Sequence, residues 1–392
     1  MKSYKPDWDE AKRRLTAMWY GERLDRPCIS VQAPRNGSGG GVSRETEWRN
    51  RPAASAQALL KEAEPVSLPE PASAEELWMD IPYRLALTRQ KLTTTWWGGE
   101  SIPSCFHQAG WVLCLGGTPR FSRDTIWFET RAVDFRQPSP FRHDPENPWT
   151  RRYEKFYLAL CAEAGRDGFL VGGPGGLPAN DLLSMHMGTQ EFLTALMDES
   201  DWMAAAILQG GRDQIQARSH VQSLASPRHD FWYGNAGWMP FWAPEPFNSQ
   251  QSDVSCMLSP EMYERFVLPE LDLYGNEYGA LWYHLDGGDA RQHLPRLLSL
   301  PYLRVLQYTA APFEPPNGPD HLEFYKHVQA AGKIVHIQVS ANNVEPLVRE
   351  LDPSLLMLDT WCSTPEEGEQ LLEQCPKWSA GAKSAKAPRR KK

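Results

Sequence analysis

The 392-residue chain contains no run of 18 or more apolar residues, so no segment has the character of a membrane-spanning helix. Its opening, MKSYKPDWDEAKRRL, lacks the apolar core of a secretory signal, and a soluble cytoplasmic protein is the expectation. Cysteine is scarce: seven residues, an odd number at irregular spacings, do not make a disulfide framework. A basic excess is missing as well. Lys and Arg total 41 against 49 Asp and Glu, a net charge of -8 that repels phosphate backbones and argues against nucleic acid as a partner. No GxGxxG or GxxxxGK fingerprint follows an apolar run, which leaves dinucleotide and P-loop readings without support. GxSxG, HExxH and CxxC are also absent, removing the hydrolase, zincin and thioredoxin signals.

What is present suffices for a large core. The hydrophobic fraction is 41%, and 16 tryptophans accompany 13 tyrosines and 14 phenylalanines, a supply suited to aromatic-lined binding surfaces as well as to packing. The last stretch, Ser379–Lys392 (SAGAKSAKAPRRKK), holds six basic residues and no acidic or large apolar one, and is expected to be a disordered basic tail. Residues 1–378 then form one domain, with an insertion at about 36–125 that includes an Ala-, Pro- and Glu-rich excursion.

Trp8, Ala11, Leu15 and Met18 recur at helical spacing, and the apolar run Pro27–Gln32 (PCISVQ) suits a buried strand. Helices are expected over Tyr153–Ala164, Gln190–Asp198, Trp202–Leu224 and Pro260–Tyr274, the last opened by Ser259 as N-cap before a first-turn proline. Strands are expected at Phe169–Gly172, Phe231–Gly234, Ala280–Leu285, Leu303–Tyr308, Lys333–Val339 and Leu355–Asp359. Helices at Ala290–Leu298, Asp320–Ala331, Asn343–Leu351 and Pro365–Gln374 alternate with them. That alternation implies a parallel sheet covered on both faces. With one strand in the region 90–130 the strands number about eight, which points to a single (β/α)8 TIM barrel with an N-terminal helical and loop extension.

In such a barrel the reactive residues gather at the carboxyl ends of the strands. Those ends carry Tyr283, His284 and Asp286 (YHLDGG), Gln307, His336 and Gln338, and Asp359, Trp361 and Cys362 (LDTWC). His284 and Asp286 are two apart and share a strand face; an imidazole and a carboxylate converging there suit a divalent metal, and Cys362 offers a thiolate nearby. A hydrogen-bonded His–Asp pair beside a small buried thiol is the competing reading. A second group is the aromatic platform Trp96–Trp97 before two glycines, with Glu100, Glu129 and His107, together with Trp232, Tyr233, Trp238 and Trp242. Packing as a lid or as core competes with a binding role for both. The polar run Asn248–Asp253 reads as turn and cap residues before a helix.

The run SDVSCMLSPEMYERFVLPELDLY, followed by WYHLDGG and LPYLRVLQY, resembles the uroporphyrinogen decarboxylase superfamily, in which an acidic residue precedes an SPE-containing helix and the next strand ends in a short His motif. The resemblance spans Asp253 to Cys362, with weaker agreement at Trp19–Pro34 and Trp96–Glu129. It implies a single barrel and one of two chemistries. The decarboxylase branch needs no metal; its anion-binding segment of RQAGR type is replaced here by RPCISVQAP (Arg26–Pro34), and HQAGW at His107–Trp111 comes too late in the chain. The corrinoid-linked methyltransferase branch binds zinc through His-x-Cys on the fifth strand and a Cys after the eighth. His284 matches the first position, Asp286 stands where the first Cys would be, and Cys362 matches the last.

On that resemblance His284, Asp286 and Cys362 hold Zn2+ or another divalent metal, in a site made harder by the Asp. Asp253, Glu100 and His336 are the acid–base candidates. Trp96, Trp97, His107, Trp232, Tyr233, Tyr283, Gln307 and Trp361 are the substrate-binding candidates. The implied activity moves a methyl group between a small substrate and a corrinoid on a partner protein, because the chain has no DxHxxG corrinoid signature of its own. A homodimer is the assembly the resemblance suggests. A metal-free decarboxylase or other lyase of the same superfamily and a non-catalytic small-molecule binding barrel are the alternatives.

Overall fold

The apolar runs of the last third form strands, each separated from the next by a helix. The structure, a computed structural model, describes residues 4–35, 71–105, 115–172, 177–225, 234–235 and 239–381. In chain order the strands are β1 (Cys28–Pro34), β2 (Thr95–Gly99), β3 (Ser104–Cys105), β4 (Pro119–Phe121), β5 (Ile126–Phe128), β6 (Leu170–Val171), β7 (Gly234–Asn235), β8 (Phe241–Trp242), β9 (Asn248–Gln250), β10 (Leu281–Asp286), β11 (Leu303–Thr309), β12 (Ile334–Gln338) and β13 (Leu356–Trp361). The helices are α1 (Trp8–Tyr20), α2 (Ala74–Met79), α3 (Ile81–Thr94), α4 (Pro148–Asp167), α5 (Ala179–Met187), α6 (Thr189–Asp198), α7 (Ser200–Ala225), α8 (Pro260–Phe266), α9 (Leu268–Tyr278), α10 (Leu294–Ser299), α11 (Leu322–Ala330), α12 (Ala341–Glu350) and α13 (Pro365–Ser379).

Seven strands form one sheet in the order β2-β1-β13-β12-β11-β10-β9. Neighbours are parallel except β1 and β2, so β2 is an antiparallel edge. From β10 to β13 the spatial order follows the chain, and the last strand pairs with the first. The sheet therefore winds in one direction, without the reversal that defines a doubly wound fold. Outside it, β3 pairs with β6 in parallel, while β4–β5 and β7–β8 are antiparallel pairs. The fold is mixed α/β with a mostly parallel central sheet; the hydrogen bonds of the described residues do not trace closure into a barrel. Among the described residues no helix is long and apolar enough to cross a membrane.

Strand alternation divides the side chains between two cores. Ile29, Val31, Tyr283, Leu285, Val335, Ile337 and Leu358 belong to the larger cluster, which the helices cover. Cys28, Trp282, Val305, Ile334 and Met357 belong to a smaller one, closed at the strands' amino ends by Trp8, Leu15, Met18 and Trp19 of α1. Further along the same inner face the chain turns polar: His284, Gln307, His336 and Asp359 are all buried there. One end of the interior is plugged with apolar side chains. The other carries the chemistry.

Several elements depart from the sequence expectations. Pro260–Tyr274 is two helices, because Pro269 has no N–H for the ladder and its ring crowds the carbonyl four residues back. Ser259 still caps α8, accepting the Met262 N–H at 3.2 Å. Asn248–Gln250, expected as turn and cap, is a strand made by pairing with Leu281–Tyr283 rather than by its own apolarity. Helix α5 is buried along its whole length, so it lacks the polar face that periodicity detects. Helices α2 and α3 lie within the expected insertion, whose residues 36–70 are outside the described ones. Helix α13 runs on to Ser379, the expected first residue of the tail, and residues 382–392 are outside the described ones.

A candidate metal centre at the strand ends

β9 and β10 are adjacent and parallel, so their carboxyl ends arrive together. β10 delivers His284 and Asp286, and the 3-10 turn Asp253–Met257 that follows β9 delivers Asp253. Each of the three offers one ligand atom, and these atoms lie within 4.8 Å of one another. Gly287, with φ of 76°, turns the chain directly after Asp286 in a conformation glycine adopts without strain. That turn is pinned by the Gly287 N–H on the Thr309 carbonyl and the Gly288 N–H on the Glu314 carboxylate, both at 2.8 Å.

The His284 imidazole is held from behind. Its Nδ1 pairs with Oε1 of Gln307, whose amide nitrogen donates to the Thr309 hydroxyl at 3.0 Å. With the amide so oriented, Nδ1 carries the proton and Nε2 the lone pair that a metal requires. Gln307 was expected to touch substrate; it stands behind the His284 ring.

Asp253 is positioned by a carboxylate that the sequence reading missed. Asp181, buried in the first turn of α5, accepts the backbone N–H groups of Asp253 at 3.0 Å and Val254 at 3.1 Å. Gln251 donates to the Asp253 carboxylate at 2.8 Å. The start of α5 is fixed in turn by buried Glu270, which accepts from the Ala179 N–H at 2.5 Å and the Asn180 side chain at 2.8 Å. Burial, then the charge of Asp253, pushes Asp181 up to about 8. Burial, then Asp286, pushes Asp253 up to about 7, although solvent reaches Asp253 and Asp286. Contact with solvent alongside strong desolvation describes a group in a cleft. Two carboxylates and an imidazole crowded there form a set that gains from a bound cation.

The other expected site residues lie elsewhere. Cys362, the expected third ligand, is not in the group; it is buried behind β13, and that burial pushes its thiol up to about 12, leaving it protonated at neutral pH. The third member of the candidate group is Asp253. Glu100 is at the opposite, amino-terminal end of β1, where it accepts from the Ile29 N–H, Arg14 and Arg26. It is a structural anion rather than an acid–base group. Trp96 packs over Gly98 and Gly368, and Trp97 is buried with its indole N–H on the Leu92 carbonyl, so the pair is core rather than a ligand platform. Tyr283 alternates to the helix-covered face and accepts from Tyr263 at 3.3 Å. His336 is fully buried between Trp282 and Asp359. Glu129 is exposed beside Arg120, and Trp242 packs on Trp8. Trp361 and Gln338 are half-buried at the carboxyl ends of β13 and β12. His107, Trp232, Tyr233 and Trp238 lie outside the described residues. The signal for Asp181 was present: a polar pair, Asn180–Asp181, opens the segment after strand β6, where the strand-end rule directs attention.

No family model matches this chain, and no curated protein matches it. Among solved structures, a methyltransferase from Methanosarcina mazei is similar, at 12% identity and a TM-score of 0.49 over 94% of this chain and 98% of that one.

Proposed function

We propose that the chain is a metal-dependent methyltransferase, moving a methyl group between a small substrate and a corrinoid carried by a partner protein. The observation that carries the reading is the convergence of Asp253, His284 and Asp286 at the carboxyl ends of adjacent parallel strands. The resemblance of the segment Asp253–Cys362 to the uroporphyrinogen decarboxylase superfamily supports it, as does the one-directional winding of the sheet, which suits a (β/α)8 barrel completed between β2 and β9.

The donor set fits a divalent cation: one imidazole nitrogen with its tautomer fixed, and two carboxylates open to solvent on one side. A cation such as Zn2+ bound there supplies Lewis acidity, which lowers the pKa of a thiol or hydroxyl on the methyl acceptor. Gln307 keeps the Nδ1 proton of His284, Asp181 keeps the Asp253 turn in place, and the Gly287 turn keeps Asp286 beside them. With no thiolate in the set the centre is harder than a cysteine-rich zinc site, which favours an oxygen-bearing ligand. Trp361 offers an apolar face on the same side of the sheet for the methyl-bearing group.

Asp253, raised to about 7, also favours a second reading, a metal-free lyase of the same superfamily with Asp253 as general acid. Elemental analysis separates the two. Purified protein is expected to hold close to one equivalent of divalent metal, lost in His284→Ala and in Asp253→Asn. Wild-type protein that stays metal-free after incubation with zinc and with manganese overturns the metal reading and leaves the lyase.

A further inference from the structure

On the inner face of the sheet, away from the candidate metal centre, two buried acceptors have no donor among the described residues. Asp359 of β13 shares its face with Met357, and Gln32 of β1 shares its face with Cys28, both of the inner cluster. Asp359 pairs in register with Ser30, and Gln32 with Trp361, so carboxylate and amide stand one step apart on neighbouring strands. Asp359 is 7% exposed and Gln32 is 9%. Oδ2 of Asp359 accepts from His336 at 2.9 Å, while Oδ1 of Asp359 and Oε1 of Gln32 have no hydrogen-bond partner among the described residues.

The charge of the pair follows from Trp282. An indole N–H only donates, and this one reaches Nδ1 of His336 at 3.0 Å. Nδ1 therefore holds a lone pair, Nε2 holds the proton given to Asp359, and the imidazole is neutral. Among the described residues no Lys or Arg forms an ion pair with Asp359. A buried carboxylate with one bare oxygen and no counter-charge is costly unless a ligand completes it, and a neutral water satisfies the oxygen without balancing the charge.

We propose that Asp359 and Gln32 form a subsite for a primary or secondary ammonium group, so that the small molecule bound at the strand ends is an amine. The N–H groups satisfy Oδ1 and Oε1, the positive charge balances Asp359, and Trp361, in register with Gln32, presents a ring beside the cation. β13 lies three strands from β10, roughly 14 Å along the sheet at about 4.8 Å per strand, so the amine binds apart from the metal ligands. The subsite stands whether or not Asp253, His284 and Asp286 hold a metal.

The test is thermal unfolding and calorimetry of the full chain with n-butylammonium, tetramethylammonium and n-butanol at matched ionic strength. Only n-butylammonium is expected to bind and raise the unfolding midpoint, because tetramethylammonium has no N–H and butanol no charge. In Asp359→Asn the atom facing His336 must accept, so the new NH2 takes the place of Oδ1. That variant is expected to lose amine binding at least tenfold, to unfold at a higher temperature than the ligand-free wild type, and to keep its zinc uptake. Gln32→Leu leaves the His336–Asp359 pair intact and is expected to weaken n-butylammonium severalfold, which decides the matter if Asp359→Asn does not fold. Equal shifts with all three probes, no shift with any, or unchanged amine binding in the folded variants overturns the subsite. Loss of zinc binding in wild type, with amine binding retained, counts against the metal centre alone.

Discussion

Asp181 holds Asp253 by its backbone: the buried carboxylate of one accepts the N–H of the other at 3.0 Å, and that of Val254 at 3.1 Å. A buried carboxyl thus sits at the start of the 3-10 turn, where unpaired N–H groups point outward, and the charge of Asp253 adds to burial in raising the pKa of Asp181. The arrangement fixes where the Asp253 carboxylate stands without sharing in the metal group.

Replacing Asp181 with Ala removes the carboxylate that accepts both backbone N–H groups and frees the turn. The expected result is a fall in divalent-metal affinity of about 10- to 100-fold, the range for outer-shell partners of metal ligands, with secondary structure retained. Competition against a chelator of known affinity measures it, and affinity within twofold of wild type refutes the positioning role.

Gln307→Leu removes the acceptor that fixes the Nδ1–H tautomer of His284, whereas Gln307→Glu keeps an acceptor in place. Leu is expected to weaken metal binding about tenfold or more, and Glu to retain most of it. Equal losses in the two variants would mean that Gln307 acts only through packing.

Three carboxyls have raised pKa values in the fold: Asp181 about 8, and Asp253 and Glu270 about 7, each chiefly through burial. The folded chain then keeps protons that the unfolded chain releases near pH 4, so the unfolded state binds fewer protons between about pH 4 and 8. Stability of the metal-free protein is present in full at about pH 4, falls as the pH rises, and has lost this contribution above about 8. A tenfold difference in acidity between the folded and unfolded chain is worth about 1.4 kcal/mol, so buried Asp181 and Glu270 produce a drop of several kcal/mol, with solvent-exposed Asp253 adding less. Urea midpoints at pH 5, 6, 7 and 8 read the slope. Saturating metal should remove only the smaller Asp253 share of the slope, because a metal-bound carboxylate is ionised in the folded chain, and should leave the share of Asp181 and Glu270 in place.

Glu100→Gln leaves Arg14 and Arg26 without their buried counter-charge at the opposite end of the sheet. The loss expected from urea unfolding is about 3–5 kcal/mol, as for breaking one side of a buried ion pair. Metal content should not change. A variant that folds normally yet loses metal would return Glu100 to the functional site.

The last third of the fold was legible because each strand there is a short apolar run bounded by turns and followed by a periodic helix. Those local signals agree with the tertiary result from Leu281 to Ser379. β9 and α5 were not legible, since Asn248–Gln250 is a strand only through its neighbour and α5 is buried on every side. The site divided in the same way. His284 and Asp286, two apart on one strand, share a face by geometry alone, and residue spacing is enough to know it.

What the sequence determined by itself was the set of strands and the end at which their polar residues collect, because both depend on local spacing. The third member of the candidate metal group and the partners that hold it were decided by the tertiary structure. Asp253 reaches His284 because β9 lies beside β10, Cys362 is withdrawn because β13 ends in packed core, and Asp181 arrives on a helix remote in the chain. Trp96, Trp97 and Glu100 met their partners the same way and became core and counter-ion. Which side chains meet across strands depends on pairing and register, and no spacing along one chain encodes that.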